Sequence, residues 1–121
     1  MITSRFPPSD ASSFAKPQSV ELDPGQKATM EWSPERSGST FYLSVVGISK
    51  ISDSTYSIQA DGRPIFGEAA IPPTDIDNTV PIWDPPKTFE DTLTVEVKNL
   101  GDGTQTYHAQ PVGFETSQGV E

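Results

Sequence analysis

The chain has 121 residues, enough for one domain, with 33% hydrophobic and 21% charged positions. Its net charge of −9, with Arg5, Arg36 and Arg63 isolated from one another, disfavours a nucleic-acid backbone as partner. It has no cysteine, which rules out disulfides and thiolate metal sites.

Residues 1–17 carry three Pro, four Ser and no periodicity, and read as an extended arm. Phe6 and Phe14 sit in it like anchors, beside Arg5, Pro7 and Pro8. Stretched out, such an arm spans on the order of 55 Å, far enough to cross onto a neighbouring subunit. Nothing in MITSRFPPSDASS resembles the apolar run of a signal peptide, and the chain starts at Met1, so a complete product made in the cytoplasm is expected. No segment approaches the roughly 20 apolar residues of a membrane span.

The domain itself is expected over 18–114. Ser19 to Asp23 alternates as a short strand, and Pro24-Gly25 suits the centre of a type II turn. Lys27 to Trp32 alternates again, with Ala28, Met30 and Trp32 on one face. Ser33 to Ser39 reads as loop. Thr40 to Ile48 is the most apolar run: Phe41, Leu43 and Val45 share one parity, Tyr42, Val46 and Ile48 the other. A central strand with both faces covered is the expectation.

Thr55 to Ala60 sends Tyr56, Ile58 and Ala60 inward, and Asp61-Gly62 forms a two-residue hairpin turn into Arg63 to Gly67, an edge strand marked by Pro64. Residues 71–86 hold five Pro, too many for regular structure beyond a short edge strand at Val80 to Trp83. Leu93 to Gln110 then reads as one long hairpin around Gly101-Asp102-Gly103. Pro111 and Gly113 imply a bulge, after which Val112 and Phe114 turn inward. Residues 115–121 form a polar tail.

No stretch carries helical periodicity. Seven or eight short strands predict an all-β antiparallel sandwich, immunoglobulin-like, with a jelly roll as the competitor.

Chemistry-bearing candidates are few. His108, the only histidine, points outward on this parity, and no nucleophile elbow accompanies it. Asp75, Asp77 and Asn78, with Asp84 nearby, have the oxygen-rich look of a calcium loop. They fail the EF-hand spacing, because Val80 stands where Gly is needed and Pro86 where Glu is needed. Glu90-Asp91 would face opposite sides of a strand and so do not form a glycosidase pair. No metal site or cofactor is assigned. Ile71, Ile76, Ile82 and Trp83 give the Pro-rich loop more apolar surface than a free loop exposes, which suggests a covering or subunit-contact role.

The segment LTVEVKNLGDGTQTY resembles immunoglobulin-like accessory domains. With its acidic β-domain and Pro/Ser-rich arm, the chain also resembles small accessory structural proteins of tailed viruses. That resemblance implies a non-enzymatic virion protein, a capsid decoration or tail subunit, made in the host cytoplasm and carried on the virion. Its partners would be other virion proteins and copies of itself, reached through the Pro-rich loop and the arm. The low lysine content fits a halophilic setting. The competing expectation is a carbohydrate- or surface-binding module with an aromatic platform, Tyr42 with Tyr107 or Trp83.

Overall fold

In a computed structural model, residues 12–14, 17–34, 38–76, 82–83 and 85–116 are described. Ten strands are present among the described residues: β1 (Ser12–Phe14), β2 (Gln18–Leu22), β3 (Lys27–Trp32), β4 (Thr40–Ile48), β5 (Ser54–Ala60), β6 (Arg63–Ala69), β7 (Thr74–Asp75), β8 (Lys87–Phe89), β9 (Leu93–Asn99) and β10 (Gln105–Thr116). They form two packed sheets, so the all-β sandwich expectation holds.

The first sheet runs β2–β10–β4–β8 and the second β3–β9–β5–β6. β1 continues β2: Phe14 faces Gly113 and Gln18 faces Ala109, four residues further along each chain, so both segments lie along β10 in one register. β7 lies beside β4 at Gly47 and Ile48, in the only parallel pairing among the described residues.

Four antiparallel pairs are nested inside one another. Leu22 faces Gln105, Lys27 faces Lys98, Phe41 faces Phe89 and Ala60 faces Arg63. Each pair is centred within a few residues of Gly62. The chain is therefore one long hairpin whose two arms coil together into two sheets. That order, first strand against last, is that of a jelly roll, the competitor, and not the immunoglobulin-like order expected first.

The tip of the hairpin is Asp61-Gly62, with φ of 52° and 80°, the left-handed pair a type I′ turn demands. At the other end of the sandwich Gly25 takes φ 83°, as a type II turn over Asp23 to Gln26 requires, and the Gln26 amide donates to the Asp23 carbonyl at 3.1 Å.

The core is filled by the inward positions of both sheets. Phe41, Leu43, Val46 and Ile48 meet Tyr56, Ile58, Val95 and Val97, with Trp32, Met30, Phe89 and Tyr107 closing the sides. Phe41 and Phe89 stack at 5.0 Å, and Tyr56 meets Tyr107 edge-on at 6.4 Å. The tyrosine hydroxyls are used inside. Tyr56 Oη donates to the Ser49 carbonyl at 2.8 Å and accepts the Ile51 amide at 2.9 Å, while Tyr107 Oη meets Ser54 Oγ at 2.5 Å. Burial pushes the Tyr56 phenol above its ordinary pKa, against the pull of its backbone partner at Ile51.

Three sequence expectations are corrected. Leu93 to Gln110 is not a hairpin: β9 pairs β3 and β5 in one sheet, β10 pairs β2 and β4 in the other. Alternation cannot tell a hairpin from an arch that crosses between sheets, since both put every second residue in the core. The bulge near Gly113 is real, but the extra residue is on β4. Val112 faces Val45 and Gly113 faces Leu43, which leaves Ser44 unpaired in that ladder. So β10 keeps its parity and Val112 and Phe114 turn outward, while β4 switches parity and Val46 replaces Val45 in the core. Finally, Glu90 and Asp91 lie in the turn between β8 and β9 rather than in a strand.

Candidate interaction surface

The Ser44 bulge positions the Pro-rich loop. Its carbonyl accepts the Ile82 amide at 3.1 Å and the Trp83 amide at 3.0 Å, which ties the loop to the open side of β4. Trp83 is half-buried and packs against the core, which is the covering role its setting suggested. Ile76 is half-buried as well. Among the loop's described residues, Ile71 at 61% and Ile82 at 42% exposure are the open large apolar groups. Of the arm, Phe14 lies on β1 opposite Gly113. Arg5, Phe6, Pro7 and Pro8 fall outside the described residues, as do Asp77, Asn78 and Asp84. Asp75 is half-buried on β7. No cluster of three or more metal-ligating side chains occurs among the described residues.

His108 does face outward, as its parity predicted, and is exposed. Its Nδ1 lies 2.6 Å from Ser19 Oγ, directly across the β2–β10 ladder. The two residues form a cross-strand polar pair. The His108 backbone is clasped as well: its amide donates to Ser49 Oγ at 2.9 Å, and its carbonyl accepts the Ser49 amide at 2.9 Å.

The two outer faces of the sandwich differ in chemistry. On the second sheet, outward positions carry Lys27, Glu31, Glu96 and Lys98, including a Lys27–Glu96 pair at 3.9 Å. On the first sheet, the outward centre is Tyr42, Val45, Gln110, Val112 and Phe114. Charges there stand only at the margins among the described residues: Glu21 on the edge strand and Glu90 just beyond β8, while Lys87 pairs with Leu43 on the opposite parity. Tyr42 and Phe114, opposite each other in the ladder, stack at 5.1 Å and 15°, and both are half-buried. Val45 is fully buried although it lies outside the core cluster.

The aromatic pair differs from the expected combinations. Tyr107 is buried, and Trp83 turns to the core, so Tyr42 is joined by Phe114 instead. Sequence parity concealed this, because the bulge that turns Val45 outward lies on a different strand from the Pro and Gly that signalled it.

No protein-family model matches the chain, and no curated protein matches it either.

Proposed function

We propose that this chain is a non-enzymatic structural protein of a virus particle, a capsid decoration or tail accessory subunit. The observation that carries the reading is the edge strand. β1 and β2 lie in one register along β10 and form an edge of the first sheet, with Ser12–Phe14 of the N-terminal segment already paired as a strand. A strand on a sheet edge is suited to pair with, or lie against, a neighbouring subunit. The jelly-roll order supports the same reading, since that architecture recurs in capsid domains; the analogy of fold is the weaker of the two supports.

In this reading the arm (Arg5, Phe6, Pro7, Pro8, Phe14) and the exposed Ile71 and Ile82 contact the particle. Pro7 and Pro8 lower the entropy the arm loses when it orders. The acidic surface keeps particles apart and suits high salt. The protein is made in the host cytoplasm and ends on the virion. Density-gradient fractionation of particles from cultures expressing the chain tests this. The chain bands with the particles, and deletion of residues 1–11 releases it. A chain found only in the particle-free lysate contradicts the proposal.

A second reading has one observation in its favour. The half-buried Tyr42–Phe114 stack on a sheet face is the kind of surface a sugar ring can lie against, and jelly rolls also recur in lectin domains. Glycan-array binding lost on Tyr42→Ala supports it; an array without signal removes it.

A further inference from the structure

We infer that the outer face of the β2–β10–β4–β8 sheet is a homotypic interface, on which two copies of the chain pack about a two-fold axis with Tyr42, Val112 and Phe114 at its centre. The inference rests on the assembly reading above and assigns the surface through which copies meet.

The first argument is charge. A chain of net charge −9 repels its own kind over most of its surface. Face-to-face contact through the second sheet would bring Glu31 and Glu96 against their own copies. The centre of the first sheet's outer face carries no carboxylate among its described residues, so two copies can meet there without opposing like charges. Its carboxylates, Glu21 and Glu90, stand only at opposite margins, where salt screens them.

The second argument is the shape of the aromatic pair. Stacking at 5.1 Å gives one face of each ring to the other. What remains outward is ring edge and one outer face, flanked by Val112. That surface suits close packing against another sheet, whose faces sit about 10 Å apart, better than a flat row of ring faces would.

The third argument is area. Four strand positions at about 4.8 Å spacing, over about seven residues at 3.3 Å rise, give on the order of 450 Å² per copy. A stable standard interface needs about 800 Å² per partner. The dimer is therefore weak, and it strengthens as salt screens the residual repulsion.

The test uses the full chain. Sedimentation equilibrium at about 0.1 M and about 1 M NaCl shows a monomer–dimer equilibrium that shifts toward dimer in the higher salt. Tyr42→Glu and Val112→Lys abolish the dimer, and Thr29→Lys on the opposite sheet leaves it unchanged. A thermal melt of each variant confirms folding. Because the chain has no cysteine, a single Gln110→Cys provides a second readout that needs no aromatic substitution. A bismaleimide long enough to span the gap of about 10 Å between packed sheets joins it into a dimer, and Thr29→Cys stays monomeric.

Four results overturn the inference: a monomer at both salts, a dimer that survives both face variants, a Gln110→Cys chain that fails to cross-link, or glycan binding through Tyr42 by a strict monomer. A dimer that appears only after residues 1–11 are deleted also overturns it, because the chain's own arm is then the occupant. Particle banding read separately keeps the two proposals apart: particle association by a strict monomer removes this interface and leaves the virion role standing.

Discussion

At Gly113 one hydrogen atom decides whether the sheet can form. A Cβ built there would lie 2.0 Å from the Tyr42 carbonyl oxygen and 2.9 Å from the Phe41 ring, so the obstruction is mainly backbone. The bulge at Ser44 draws the two strands together at this point. Gly113→Ala is expected to cost stability at the upper end of the roughly 1–3 kcal/mol of an overpacked core. Gly103→Ala, with nothing within 4 Å, is the control. Urea midpoints measure both, and equal midpoints would show that β4 and β10 do not approach this closely.

Two polar side chains act as knots at opposite ends of the sandwich. Asn99 is fully buried, and its side-chain amide donates to the Leu22 carbonyl at 3.0 Å and the Gly103 carbonyl at 2.8 Å, while its oxygen accepts the Gly101 amide at 2.9 Å. Those bonds hold the arch that carries the chain from one sheet to the other. Asn99→Ala strands all three partners, at about 1–3 kcal/mol for each buried group left unpaired. A drop in melting temperature far larger than that of Gln59→Ala on the exposed side of β5 is the expected result. Similar melting for the two variants would contradict the knot.

Asp61 does the equivalent work at the hairpin tip. Its carboxylate accepts the amides of Glu90 at 2.9 Å, Asp91 at 2.8 Å and Thr92 at 3.0 Å. Burial works against its charge. The Glu90, Thr92 and Asp91 amides, and then Arg63, more than offset that and hold its carboxyl below the ordinary value of 3.8. A lowered pKa contributes stability above the unfolded value, and that contribution is lost as pH falls through the folded value. Asp61→Asn tolerates the left-handed backbone but carries no charge. Its stability deficit against the parent chain is expected at pH 7 and should close below about pH 4 as the parent's carboxyl is protonated. A deficit independent of pH, followed by urea unfolding, would exclude the charge as its origin.

At the scale of elements, alternation was the legible signal. The inward sets of β3 and β5 follow directly from it, and Asp61-Gly62 and Pro24-Gly25 announced their turns, because Asp61, Gly62 and Gly25 stand where φ is above zero and Pro24 is preset for the position before such a glycine. The apolar excess of the Pro-rich loop also had its expected meaning at Trp83, which covers the core. What alternation could not carry was partnership. β9 and β10 look like one hairpin because both bury every second residue, and nothing local says that their neighbours are β3, β5, β2 and β4. The bulge was half-legible: Pro111 and Gly113 marked its level, but the inserted residue is Ser44, on the strand opposite. The face built on Tyr42 and Phe114 was hidden for the same reason.

The edge strand also belongs to this scale. β1 covers β10 at Gly113 to Glu115 and β2 covers it at Gln105 to Ala109, so without β1 the backbone of β10 opens at Gly113 to Glu115. An unpaired edge invites pairing with another chain. Removal of residues 1–14 is therefore expected to lower the melting temperature and promote aggregation, read by light scattering on heating. A truncated chain that melts and scatters like the parent would remove β1 from the account of the fold.

At the scale of the whole molecule, the strand order makes the argument coherent. A single hairpin coiled on itself brings the first strand against the last. It puts the entry to the arm on one sheet edge and ties the Pro-rich loop to the other. It also leaves one broad sheet face low in charge while the opposite face is solvated by Lys and Glu. The proposals for assembly all draw on that arrangement, so the strand order is the claim to test first. Paired cysteines in this cysteine-free chain do so most directly. The nested order sets Ser19 beside His108, whereas a local hairpin centred on Asp102 would set Glu96 there. Ser19→Cys with His108→Cys should close an intramolecular disulfide on mild oxidation, and Glu96→Cys with His108→Cys should not. The reverse outcome, a bridge from position 96 and none from position 19, would contradict the fold and the assembly built on it.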